Sequence, residues 1–193
     1  MQQSLDDLRQ LLASLLGERR LTHSLAVAES AKALALRYGA DAEKAEIAGL
    51  LHDCMKDTSA EKQRCIIAEA GGRLTDCENA NENLLHAIAG EAYLRQQILT
   101  DEDMLRAVRY HTTGRAGMSR LEQVVYLADF ISADRDYPDV ETVRSLAQES
   151  LEGAMLYTVE FILKKLLREK RAIHPHSVDL YNELLKGRQY DTH

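Results

Sequence analysis

The sequence predicts an all-α fold, and three observations carry that expectation. Leucine and alanine recur at helical spacing in every long segment, whereas strand-like alternation is nowhere sustained over four to eight residues between turn signals. Capping residues stand at regular intervals in front of those apolar runs. Composition agrees: across 193 residues the chain is 45% hydrophobic but only 5% aromatic, with no Trp and two Pro, which favours helix packing over the β-branched, turn-rich make-up of a sandwich. One body is expected across residues 1–193, with a core over about 18–135 and added C-terminal helices over about 140–186.

The first helix is expected from Ser4 to Leu16, with leucines at 5, 8, 11, 12 and 15, acidic residues in its first turn and Gly17 as its stop. A second runs from about Leu21 to Tyr38 on an alanine-rich face and ends at Gly39. Asp41 caps a third, which finishes around His52 to Met55. Thr58 with Glu61 forms a capping-box pattern for a fourth, terminated by Gly71 and Gly72, and Arg73 to Asn81 reads as loop. The fifth, marked from Leu84 to Tyr93, carries His86; the sixth opens at Thr100 with Asp103 and reaches Tyr110 and His111. Ser119 and Glu122 box the seventh, placing Asp129 near its last turns, and Ser132 to Pro138 is a polar connection. Two further helices follow, Val140 to Ala147 and Ser150 to Arg168, then a break at His174-Pro175-His176 and a last helix from Ser177 to Leu185. His193 is expected to fray at the tail.

A formal net charge of −7 argues against nucleic acid or an anionic membrane as partner, since both would be repelled overall. Three cysteines without a CxxC pair suit free thiols in a reducing compartment. No signal segment or long apolar run is found, so residence in the cytoplasm is the expectation. Dimerisation through apolar faces of the N-terminal helices is open.

The chemistry concentrates in His23, the pair His52-Asp53, His86, His111 and Asp129, which fall on separate helices apart from the adjacent pair. Helical bundles build metal centres this way, from side chains that converge across facing helices. Imidazole with carboxylate suits Fe, Mn, Co or Zn, and the lack of thiolate argues against a purely structural zinc. His52 and Asp53 would point about 100° apart on a continuing helix, so that helix must end nearby for both to reach one ion. With His23 and Asp129 they could form a four-ligand shell that leaves a position for water, and a metal there would acidify that water and polarise a phosphoryl oxygen. His86 and His111 are left to bind a second metal or to touch phosphates. Arg20, Lys56 and Arg135 flank the ligands and supply the cations that phosphoryl transfer requires.

The segments Arg20-Leu-Thr-His23, Ala48-Gly-Leu-Leu-His52-Asp53, Leu85-His86, Arg109-Tyr-His111-Thr-Thr-Gly114 and Leu127-Ala-Asp129 with Arg135 resemble the HD-domain superfamily, and specifically its YqeK branch of bacterial symmetrical dinucleoside tetraphosphatases. The resemblance spans about Glu18 to Leu185. It implies a single HD-domain helical bundle whose C-terminal helices complete a nucleotide site. His23, His52, Asp53 and Asp129 would bind the metal, most readily iron, with Mn, Co, Zn or Mg possible and one or two ions. The implied reaction cleaves diadenosine tetraphosphate to two ADP, with Asp53, His86 and His111 in catalytic positions. Nucleotide contacts are implied at Arg20, Asp53, Cys54, Met55, Lys56, His86, Thr112, Thr113 and Arg135, and along Ala172, Ile173, His174, Pro175, His176 and Ser177. The bound species would be a dinucleoside polyphosphate or a diphosphate product such as ADP or GDP. One departure follows Asp129, where relatives often carry Ile-Glu-Pro and this chain has Ile131-Ser132-Ala133.

Two other readings share these residues. One is a phosphohydrolase acting on nucleoside mono- or triphosphates. The other is a nucleotide-binding regulator that keeps its metal as a staple of the fold. For Cys54, a small buried thiol is the plainer reading.

Overall fold

The structure, a computed structural model, describes residues 4–189; His193 lies outside them. Among the described residues there are eleven α-helices and no strand, and no helix is long and apolar enough to cross a membrane. Helix α1 (Leu5–Leu15) begins at a complete capping box between Ser4 and Asp7. Helix α2 (Glu18–Tyr38) ends at Gly39, whose φ of 73° is a left-handed conformation that glycine adopts without a Cβ penalty. Helix α3 (Ala42–Leu51) starts at Asp41, whose carboxylate accepts from the Glu43 and Lys44 amides. It stops at His52, as the ligand geometry requires.

The tightest packing is between α2 and α3, where Gly49 removes a side chain at the crossing. A Cβ there would meet the Ala31 Cβ at 3.0 Å and the Ala28 Cα and Val27 carbonyl oxygen at 3.1 Å. Helices α4 (Ala60–Glu69), α6 (Leu85–Gln97), α7 (Glu102–Tyr110) and α8 (Arg120–Ile131) continue the core, α8 packing on both α2 and α3. Helices α9 (Val140–Glu149), α10 (Leu151–Arg168) and α11 (Pro175–Gln189) form a C-terminal layer, with α10 resting on α8. Ser150 ends α9 and caps α10 at once, its hydroxyl accepting from the Gly153 amide.

Four local expectations need correction. The cap of α4 is Ser59, not Thr58, because it is the Ser59 hydroxyl that accepts from the Lys62 amide. The cap of α7 is Asp101, not Thr100, its carboxylate taking the Asp103 and Met104 amides. The stretch Arg73 to Asn81 is not all loop: Thr75 and Glu78 form a full capping box around the short helix α5 (Asp76–Asn79), which leads into a 3-10 turn, Glu82–Leu84. Pro175 does not break structure but opens α11, since the first helical position needs no N–H and suits the fixed proline φ.

Candidate metal centre

Each candidate side chain stands at or near a helix end facing one point of the core. His52 follows α3 and His111 follows α7, and both use the same device. The Nδ1–H of His52 donates to the Gly49 carbonyl at 2.7 Å, and that of His111 donates to the Val108 carbonyl at 2.8 Å. Carbonyls in a last helical turn lack intrahelical donors, so each imidazole satisfies one and in doing so fixes its tautomer with Nε2 as the lone-pair nitrogen. His23, on the second turn of α2, is held differently: its Nδ1 lies 2.8 Å from Asp134 Oδ2. All three histidines therefore present Nε2 to the centre.

The carboxylates close the arrangement. Asp129 Oδ1 lies 3.0 Å from His23 Nε2 and 3.8 Å from His52 Nε2, and Asp53 Oδ2 lies 3.7 Å from His52 Nε2. His23, His52 and Asp129 offer ligand atoms that all lie within 4.8 Å of one another, and so do His52, Asp53 and His111. His52 belongs to both groups. Beyond them, His86 Nε2 is 3.0 Å from Asp53 Oδ1 and 3.2 Å from His111 Nε2. The rings of His23, His52, His111 and His86 form a continuous edge-to-face row at centroid spacings of 5.3, 4.9 and 5.1 Å.

Burial sets the charge states. It pushes His52 and His86 down to about 4, against the pull of the nearby aspartates, so both are neutral at pH 7. Burial would raise Asp53 and Asp129, but the surrounding imidazoles outweigh it, joined by Lys56 at Asp53 and by Arg135 at Asp129, and hold both carboxyls well below their ordinary range. At His23 burial opposes protonation, yet the hydrogen-bonded Asp129 prevails and the pKa rises. Neutral His52 beside two ionised carboxylates is in the form that a divalent cation needs from its ligands. The fit to a metal also rests on one orphaned atom: His52 Nε2 is fully buried with no hydrogen-bond partner among the described residues. An unpaired buried nitrogen aimed at two carboxylates is costly unless something coordinates it.

The predicted cations gather around this point. Lys56 Nζ is 3.0 Å from His86 Nε2 and 3.7 Å from Asp53 Oδ1, and Arg20 Nη1 is 3.8 Å from Asp53 Oδ2. Arg135 pairs with Asp129 through its Nη2 and donates from Nε to the Asp129 carbonyl at 2.7 Å. The segment Ile131-Ser132-Ala133 is stapled by Arg144, which reaches the Ile131 carbonyl at 3.0 Å and the Ser132 carbonyl at 2.6 Å. Ser132 in turn donates to Asp134 Oδ1 at 2.7 Å.

A cavity of about 350 Å3 opens beside the centre, lined in part by Lys56, His111, Thr112, Thr113, Ala172, His174 and Ser177. Ser177 ties its two sides together by donating to the Thr113 carbonyl at 2.8 Å. Ile173, Pro175 and His176 are not among its walls; the His176 ring meets Tyr110 edge-to-face and His174 at a tilt instead. Cys54 and Met55 are buried at 1% and 2% exposure, and burial pushes the Cys54 thiol far up. Both side chains pack into the hydrophobic core. Sequence reasoning missed Asp134, Arg144 and Glu78. For Glu78 a signal was available, the Thr75-x-x-Glu78 capping pattern.

The HD domain family model matches residues 20–134, well over half of the chain, and the chain belongs to that family. It is 40% identical over 177 residues to the symmetrical bis(5'-nucleosyl)-tetraphosphatase of Halalkalibacterium halodurans, covering 91% of this chain and 94% of that protein. The protein of the same name from Bacillus subtilis is 40% identical over 176 residues, at 89% and 92% coverage. Among solved structures, an HD-superfamily hydrolase from Clostridium acetobutylicum described as involved in NAD metabolism superposes with a TM-score of 0.93. It is 37% identical, over 96% of this chain and 99% of that one.

Proposed function

We propose that this chain is a symmetrical bis(5'-nucleosyl)-tetraphosphatase, an HD phosphohydrolase that cleaves diadenosine tetraphosphate at its centre into two ADP. The substrate follows from the full-length likeness to enzymes of that name. The chemistry is carried by one observation, the buried and unpartnered His52 Nε2 facing Asp53 and Asp129. His23, His52, Asp53 and Asp129 would hold a divalent transition metal, iron by family resemblance. Bound there, it supplies Lewis acidity, polarising a phosphoryl oxygen and acidifying water.

The chain's own residues do the rest. Lys56, Arg20 and Arg135 neutralise the phosphates and orient them, which is most of what a loose phosphoryl-transfer transition state asks of a protein. His86, neutral at pH 7, stands 3.0 Å from Asp53 Oδ1 and from Lys56 Nζ, where it accepts a hydrogen bond from a phosphate-facing group or relays a proton. Thr112, Thr113, Ala172, His174 and Ser177 seat one nucleotide in the 350 Å3 cavity, so the C-terminal helices work with the HD core as one body.

Chromatography of the products tests the reading. ADP as the sole nucleotide from diadenosine tetraphosphate supports it; AMP with ATP overturns it. Asp53→Asn should remove most of the turnover while the far-ultraviolet circular dichroism stays helical. A variant that turns over at the wild-type rate would exclude Asp53 from the metal shell.

A further inference from the structure

A symmetrical cut places the middle of a tetraphosphate at the metal, so a nucleoside extends from the centre on each side. The cavity bearing Thr112 and Ser177 accommodates one. A second cavity, of about 410 Å3, opens from the same Asp129 and lies against Arg135. The two share a wall that includes Phe130, Lys165 and Arg171, so a ligand leaving the centre can turn into either.

The second cavity is aromatic in a chain poor in aromatics. It is lined by Phe130 and Phe161, the only two phenylalanines in the sequence, and by Tyr137. The Tyr137 ring stands 5.5 Å from Phe161 at 38° and 6.2 Å from Phe130 at 83°. All three side chains are half-buried, offering ring surface to a planar guest. The Tyr137 hydroxyl is buried with no hydrogen-bond partner among the described residues, a polar group left for a ligand to satisfy. Lys165 and Arg171 add positive charge to the wall that the two cavities share. Apolar aromatic walls, one or two polar anchors and nearby cations describe a site for a purine attached to phosphates.

We propose that this cavity is the subsite for the second nucleoside, with Phe161 and Tyr137 together forming a wall against its base and Lys165 and Arg171 meeting its phosphates. The assignment rests on the dinucleoside reading above. It explains how one active site can recognise both ends of a symmetrical substrate without internal symmetry of its own: the two ends enter two arms of one cleft, distinguished by Thr112, Thr113 and Ser177 in one and by Tyr137 and Phe161 in the other.

The test uses metal-loaded full-length protein. Equilibrium dialysis against ADP should show two sites per wild-type chain and one in Phe161→Ala. The same variant should raise the KM for diadenosine tetraphosphate about tenfold relative to that for adenosine 5'-tetraphosphate, which carries a single nucleoside. Tyr137→Ala, on a different segment, should reproduce both effects. A single ADP site in the wild type, or equal changes with the two substrates, overturns the subsite. Failure of the wild type to release ADP from diadenosine tetraphosphate would instead remove the reading beneath it.

Discussion

Asp134 has no place in the metal shell, yet it determines how His23 can act. Its Oδ2 sits 2.8 Å from His23 Nδ1, and a carboxylate on that nitrogen fixes the tautomer and raises the basicity of Nε2, the arrangement found behind metal-bound histidines. Asp134→Asn should therefore weaken metal binding about 10- to 100-fold with the helical spectrum unchanged. A chelator-competition titration reads this directly, and affinity within twofold of wild type would show that the Asp134 contact leaves the His23 ring unaffected. The proposed ligands were legible in the sequence because histidine and aspartate recur at the ends of separate apolar helical runs, in the pattern of the resembled family. Asp134 was not, since an aspartate in the polar run Ser132 to Pro138 looks like any solvated loop residue until the fold brings His23 to it across 111 positions. The same holds for Arg144, whose hold on the 131–135 segment is visible only once α9 lies beside the end of α8.

The metal geometry depends on how closely α2 and α3 approach, because one carries His23 and the other ends at His52. Gly49 permits that approach. A methyl group at this position meets backbone atoms of α2 at 3.1 Å, and backbone cannot rotate aside as a side-chain tip can. Gly49→Ala should cost about 1–3 kcal/mol in chemical denaturation and also lower metal occupancy, since the strain is relieved by moving α2 and with it His23. A variant with normal stability and a full complement of metal would mean that the crossing yields without disturbing the site. The helices were readable from caps and periodicity; this contact was not, because a glycine inside a helical run has the same sequence signature whether it serves packing or merely weakens the helix. The short helix α5 shows the opposite case. Its Thr75–Glu78 box obeys the rule that located α8, but four residues contain no apolar period to support it.

At the scale of the whole molecule, Glu78 lies where three parts of the chain meet. Its side chain is 3% exposed and pairs with Arg109 of α7, and its Oε1 lies 3.7 Å from His174 Nε2 at the start of α11. His174 in turn accepts the His176 amide at 3.1 Å, which sets the start of the C-terminal helix that contributes Ser177 to the cavity beside the Glu78–Arg109 pair. Burial would raise the Glu78 pKa, but the Thr75 amide and hydroxyl and the Arg109 guanidinium outweigh it and hold it below its ordinary value of 4.5. A carboxyl whose folded pKa lies below its unfolded one stabilises the fold fully above the unfolded value, and that contribution disappears as pH falls through the folded one. Glu78→Gln should therefore lower stability by about 3 kcal/mol near neutrality, where it strands Arg109 without its counter-charge. The gap between wild type and variant should stay constant down to about pH 4.5 and narrow below it as Glu78 protonates. Urea denaturation of both proteins at a series of pH values gives this difference free of the acid sensitivity of the metal ligands, which the two share. A gap that stays level through the acid range would show that Glu78 acts by shape and not by its charge on Arg109.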